Sequence, residues 1–365
     1  MRYLFVLLAS LFISCSNDGS DDNSEIPPIV TPPIVTPSAF LSAADLSYLP
    51  LLDSKNIQFY NEKGEAVQML TYLKSKGLNT VRIRIWNHPE NIHSSFEEVK
   101  AFSNKVKSLG LKVWITLHYS DTWADPGKQT PPKNWQNISF EALKDSVRIY
   151  TKKIITEIDP AYIQIGNEIN SGFLFPYGEI SKNETQFIEL LSEGIKAVRT
   201  NSNKTKIMIH FAGLNNSDWF YNKVKNLDYD IIGLSYYPIW HGKSLSNLAE
   251  NLTSLSEKYN KEILIAETAY PFTLDWNDWT NNIVGEESQL ILPDFPATEV
   301  GQKNFIDNIK TIVKQTNKGI GFCYWGGEWV ASNGPEAKDG SSWENQALFN
   351  FQNKALPVVE AFKID

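Results

Sequence analysis

Cysteine is nearly absent. Two occur in 365 residues, Cys15 in an amino-terminal leader and Cys323 inside an apolar run, so no disulfide framework underlies the fold. Cys323 reads as a small buried hydrophobe. Basic residues are outnumbered, 34 against 42 acidic, and the formal net charge of -8 argues against nucleic acid or any anionic polymer held on a broad basic face. Only five histidines occur, and none stands in a zinc or metal-protease spacing. The one targeting-like apolar run, residues 3–13 behind Arg2, is too short to span a bilayer as a mature helix. The next stretch lacks core-forming pattern: residues 16–24 are polar and acidic, and residues 27–37 repeat Pro-Pro-Ile-Val-Thr. Such a segment acts as a semi-extended tether.

Other components are plentiful. Hydrophobic residues make up 42%, enough for a sizeable core in one large domain, and a (β/α)₈ barrel takes roughly 250 residues. Eleven Trp and fifteen Tyr exceed what a core needs, and flat aromatic faces in a cleft suit sugar rings. From Phe40 onward apolar runs alternate with helical patterns. Candidate strands end near Asp45, Trp86, His118, Asn167–Glu168, Phe211, Tyr236, Glu267 and Trp325. Helical stretches fall at 65–76, 96–109, 140–158, 184–200, 217–225, 244–259 and 298–316. Eight such repeats predict an α/β fold, a single (β/α)₈ TIM barrel over residues 39–365. Gly77 and Gly110 close helices where a positive φ is needed.

Two runs, 161–168 and 262–267, each end on a glutamate that does not belong in a core. Strands covered on both faces belong to a parallel sheet, and the carboxyl ends of barrel strands carry catalytic groups. Two carboxylates at one rim are the minimum equipment for cleaving a glycosidic bond; structural ion pairing is the plainer alternative. The same rim gathers Arg82, Arg84 and Trp86 from the second strand, His118, Tyr236-Tyr237-Pro238 and Tyr324-Trp325. The loop 119–135, long and rich in turn residues, is of a size that usually binds something.

Four motifs resemble the endo-β-1,4-galactanases of glycoside hydrolase family 53: Val81-Arg-Ile-Arg-Ile-Trp-Asn87, His118-Tyr-Ser-Asp-Thr-Trp-Ala-Asp-Pro-Gly-Lys-Gln129, Gln164-Ile-Gly-Asn-Glu-Ile-Asn170 and Ala266-Glu-Thr-Ala-Tyr270. The second is the most specific. The resemblance covers Phe40 to the carboxyl end and implies retaining endo-hydrolysis of the β-1,4-galactan side chains of pectin. It makes Glu168 the acid/base and Glu267 the nucleophile, with no cofactor for catalysis. Arg84 is then a candidate for keeping Glu267 ionised, Tyr236 for donating to it, and Asn167 for holding the sugar 2-hydroxyl. Trp86, Trp123 and Trp325 are platform candidates, and His118 is a subsite hydrogen-bond partner. One departure stands out: after Tyr324-Trp325 the chain reads Gly326-Gly-Glu-Trp329, where the family commonly has Glu-Pro-Ala-Trp.

Asp275, Asn277, Trp279 (through its carbonyl), Asn281, Ser341 and Glu344 resemble a structural Ca²⁺ site of some bacterial members, an Asn-rich solvated loop being the alternative. Phe12-Ile-Ser-Cys15 resembles a lipoprotein signal. That implies cleavage after residue 14, acylation of Cys15, a tether over residues 15–38 and export as a bacterial outer-membrane lipoprotein facing the cell surface. The chain is expected to act as a monomer on galactan. Two alternatives stay open: another retaining barrel glycosidase, such as a β-mannanase or β-glucanase, and a surface lipoprotein that binds glycans without cutting them.

Overall fold

In the computed structural model, residues 40–364 are described. Eight parallel strands close into a barrel: β1 (Leu41–Asp45), β2 (Thr80–Ile85), β3 (Lys112–Leu117), β4 (Tyr162–Ile165), β5 (Lys206–Ala212), β6 (Ile231–Ser235), β7 (Glu262–Thr268) and β8 (Gly319–Tyr324). Each pairs with its neighbours in chain order, and β8 closes on β1. The predicted strand ends fall within three residues of these tips.

The outer helices are α1 (Met69–Ser75), α2 (Phe96–Ser108), α3 (Phe140–Ile158), α4 (Ile180–Asn201), α5 (Ser217–Val224), α6 (Leu245–Tyr259) and α7 (Glu299–Gln315). Four begin where a hydroxyl caps them: Ser95, Ser139, Ser244 and Thr298 each accept a backbone N–H three residues on, satisfying a donor the helix leaves orphaned. The first helix starts later than its pattern predicts. A small hairpin, Phe59–Tyr60 with Ala66–Val67, takes up the preceding residues, and Asn61 Oδ1 holds its turn through the Lys63 and Glu65 amides. Gly77 and Gly110 have φ of +107° and +73°. A Cβ on Gly77 would also lie 2.5 Å from the Phe362 carbonyl oxygen, so only glycine lets the carboxyl-terminal turn close against α1.

The alternation of each strand divides the molecule in two. Val81, Ile83 and Ile85 face the helices and join the large outer core, while Leu41, Ala43, Trp114, Met208, Leu264 and Cys323 fill the barrel floor. Cys323 is fully buried there. Above that apolar floor the lumen turns polar. The Arg82 guanidinium lies 5.5 Å from the Trp114 ring centroid and opens a layer of hydrogen-bonded side chains beneath the rim. Among the described residues no helix is long and apolar enough to cross a membrane.

Candidate active site

Arg82 organises the rim. Its Nη1 donates to Asp45 Oδ2 at 2.7 Å, and its Nη2 donates to Glu267 Oε1 at 2.6 Å and to Asn167 Oδ1 at 2.9 Å. Burial alone disfavours the guanidinium charge, but the Glu267 and Asp45 carboxylates more than offset this and hold its proton more tightly than usual. Asp45 is fixed from its other side by the Ser47 amide and hydroxyl.

Glu267 reaches the lumen through an irregularity. Leu264 and Ala266 face inward, so strict alternation would turn Glu267 outward. A bulge shifts the register against both neighbours: Leu234 pairs with Ile265 but Ser235 with Glu267, and Phe322 with Ile265 but Tyr324 with Thr268. The extra residue brings Glu267 back inside. Tyr237 then donates its hydroxyl to Glu267 Oε2 at 3.1 Å.

Glu168 stands just past β4 at a φ of +46°, a strained setting of the kind that gathers at functional sites. Its Oε1 accepts the Ser235 hydroxyl at 2.6 Å, and Ser235 Oγ lies 2.9 Å from His210 Nε2. His210 Nδ1 faces two donors, the Gln164 amide at 2.8 Å and the Glu168 N–H at 3.3 Å, against one acceptor, Asn167 Oδ1 at 3.2 Å, which is already taken by Arg82 and Gln164. The imidazole proton is therefore assigned to Nε2, from which it supports Ser235. Burial, with the Arg82 charge adding to it, keeps His210 neutral, well below its usual range.

Glu168, His210 and Glu267 bring ligand atoms within 4.8 Å of one another. Burial raises both carboxyls. Glu168 is pushed up to about 8 by burial and then by the Glu267 charge. For Glu267 the burial effect is opposed by the Arg82 cation and the Tyr237 hydroxyl. A pair this close shares one proton, and these surroundings put it on Glu168. With Oε1 engaged by Ser235, the free oxygen of Glu168 is Oε2.

Both glutamates line a cavity of about 490 Å³ with Arg84, His118, Trp123, Asn167 and Trp325, all expected from the sequence. Three roles are corrected. Arg84 does not touch Glu267; it lies one layer higher, its guanidinium 4.2 Å and 4.3 Å from the Tyr48 and Trp123 ring centroids. Tyr236 turns away, donating to the Gly242 carbonyl at 2.8 Å. Successive residues of extended backbone face opposite sides, so only one of the two tyrosines can enter the lumen, and that one is Tyr237. Trp86 does not line the cavity; it backs His118 and Trp123 edge-on. His118 accepts the Ala124 N–H at 3.1 Å, and burial followed by the Arg84 charge keeps it neutral, well below its usual range. Asn167 spends its oxygen on Arg82 and Gln164 and donates one hydrogen to the Ala124 carbonyl.

The departure after Trp325 has a packing cause. Gly326 has φ +70°, and a Cβ there would lie 2.5 Å from Trp343 Cδ1. Trp343 takes that space, stands edge-on to Trp325 at 4.8 Å and donates to its carbonyl. Glu328 is buried behind this wall and accepts the Tyr48 N–H at 2.8 Å, holding Tyr48 against Arg84.

The residues expected to hold Ca²⁺ fall on the loops after β7 and β8. Asp275 is exposed and bonded to Thr273, Asn281 is exposed, and Ser341 Oγ donates to the Trp329 carbonyl. Trp279 points its indole to water. Glu344 Oε1 accepts the Asn277 N–H at 2.6 Å, while its Oε2 is buried with no hydrogen-bond partner among the described residues.

Sequence reasoning missed His210 and Ser235, and it placed Tyr237 at the rim but gave its role to Tyr236. His210 and Ser235 were detectable as lone polar residues in the apolar runs of β5 and β6.

An acid and an ionised carboxylate facing each other at the carboxyl-terminal rim of a (β/α)₈ barrel define a glycoside hydrolase. The chain belongs to glycosyl hydrolase family 53, whose pattern matches residues 41–362. It is 33% identical to an arabinogalactan endo-β-1,4-galactanase of Cellvibrio japonicus, covering 100% of this chain and 97% of that one. It is 32% identical to an endo-β-1,4-galactanase of Bacillus subtilis, over 89% and 85%. The family 53 catalytic domain of Ignisphaera aggregans superposes with a TM-score of 0.83 at 34% identity, over 92% of this chain and 99% of that one.

Proposed function

We propose that this chain is a retaining endo-β-1,4-galactanase that cuts the galactan side chains of pectin by double displacement. One observation carries the mechanism: Glu168 and Glu267 bring a carboxylate oxygen each within 4.8 Å of the other, in opposed surroundings. Retaining enzymes need about 5–5.5 Å, whereas inverting ones leave room for a water at about 6.5–9.5 Å.

Glu267, ionised beside Arg82, attacks the anomeric carbon as its bond to the leaving oxygen breaks. The Oε2 proton of Glu168 passes to that oxygen. Water then enters, Glu168 takes a proton from it, and its oxygen displaces Glu267 from the anomeric carbon. Ser235, braced by neutral His210, holds Glu168 Oε1 throughout and leaves Oε2 to move the proton. The second amide hydrogen of Asn167 is available to the sugar 2-hydroxyl, and Arg84 and the Trp123 and Trp325 faces to the ring and its other hydroxyls.

This arrangement fixes the pH dependence. Glu168 must begin protonated, so kcat/KM falls as pH rises through about 8. Glu267 must begin ionised, so activity also falls on the acid side as it takes up a proton. A bell-shaped profile is expected, and Glu168→Gln, assayed on an activated aryl galactoside, loses the alkaline limb. An alkaline limb that survives Glu168→Gln would assign it to another group.

The substrate rests on the names of the Cellvibrio and Bacillus relatives. Incubation with linear β-1,4-galactan, β-mannan and β-glucan tests it. Short galacto-oligosaccharides from galactan alone are expected; cleavage of mannan or glucan instead would move the substrate to another barrel glycosidase, and no cleavage would favour a glycan-binding protein. Cys15 and residues 1–39 lie outside the described residues. From the sequence, an acylated, surface-exposed lipoprotein is proposed for them, and protein left untouched by protease on intact cells would oppose it.

A further inference from the structure

A second depression, of about 730 Å³, lies beyond Glu168 in the sector of β4 and β5. It adjoins the catalytic cavity, Pro126 lining both. Its most conspicuous wall is Trp219, near the start of α5 and 49% exposed. The indole is braced: Lys223 Nζ sits 4.5 Å from its ring centroid, and Glu184 holds that ammonium at 2.5 Å. An aromatic fixed in this way loses little conformational freedom when a ligand packs on it. Next to it Asn215 and Asn216 are both exposed, and neither side chain is engaged in a hydrogen bond among the described residues. The one charge pair here, Glu184 with Lys223, is internally compensated.

We infer that this depression is a distal subsite for the departing, reducing-end arm of the polysaccharide, with Trp219 as platform and Asn215 and Asn216 as hydroxyl partners. This rests on the galactanase reading above and extends it. The direction follows from the chemistry. The leaving oxygen must meet Glu168, so the chain on that side continues outward past β4, towards Pro126 and Trp219. A braced indole beside free amides suits the C–H face and hydroxyl edge of a neutral sugar, and the compensated charge pair favours no ionic ligand. The site therefore serves long chains and leaves short oligosaccharides, which end before it, little affected.

The test compares kcat/KM on polymeric β-1,4-galactan with that on galactotriose. Trp219→Ala is expected to lower the polymer-to-trisaccharide ratio about tenfold, the scale of one lost aromatic contact. Trp219→Phe should restore most of it, and Asn215→Ala should lower it about threefold, the scale of one neutral hydrogen bond. In a Glu168→Gln background, which binds without cutting, Trp219→Ala should weaken retardation in galactan-containing gels. Because Trp219 is half exposed, the thermal melt should stay near that of the parent. A folded Trp219→Ala protein with an unchanged ratio and unchanged retardation overturns the inference. Failure of the unaltered protein to cleave galactan would instead overturn the substrate reading on which it rests.

Discussion

Glu267→Ala is expected to lower hydrolysis of natural substrate by about 10⁴-fold or more, the scale on which removal of a covalent nucleophile acts. Two losses combine. The anomeric carbon loses its attacking oxygen, and Arg82 loses the acceptor that its Nη2 meets at 2.6 Å. A buried cation left short of a partner binds water or an anion in the vacated space. That makes the variant a receptive host for a small exogenous nucleophile, since Glu168 still carries its proton and can still release the leaving group. Stability should fall less than activity, because Arg82 keeps Asp45 at 2.7 Å and the bulge that aims residue 267 belongs to the backbone.

Arg82→Met carries the second large effect, and there stability falls together with activity. Asp45 and Glu267 are left facing each other in a buried layer without the cation that compensates both, a loss of about 3–5 kcal/mol on the scale of broken buried pairs. Chemical denaturation reads this directly. The same change removes the main influence opposing burial at Glu267, so its carboxyl holds a proton to higher pH and the acid limb of the kcat/KM profile moves upward. Arg84→Met provides the contrast. Arg84 is held by the Tyr48 and Trp123 rings and not by a carboxylate, so its loss should raise KM while leaving the acid limb in place. Equal shifts of the acid limb in both variants would contradict the division of labour between the two arginines.

That division marks where legibility in the sequence ends. Arg82 and Arg84 alternate with Val81, Ile83 and Ile85 in an unmistakable inward pattern, and the strand itself is read without difficulty. Alternation gives a side chain's face and not its depth, and one step along β2 separates a residue in contact with Glu267 from one beneath the aromatic wall. Tyr236 and Tyr237 pose the same problem of parity at the end of β6. Glu267 is the converse case. It is identified by its residue type and motif, although strict alternation from Leu264 and Ala266 points it the wrong way and only the bulge turns it inward. Helix limits are more legible because their signals are local: Ser139, Ser244 and Thr298 cap where hydroxyls precede helical patterns. The Ca²⁺ set is the opposite case, since ligand spacing along a loop says nothing about whether N–H or C=O groups turn inward.

Azide rescue of Glu267→Ala on an activated aryl β-galactobioside tests the central assignment most directly. If Glu267 is the nucleophile and Glu168 the acid/base, azide restores cleavage and the product is the inverted, α-configured glycosyl azide. A β-configured azide formed by Glu267→Ala, with the α-azide formed by Glu168→Ala, would exchange the two roles and contradict the account.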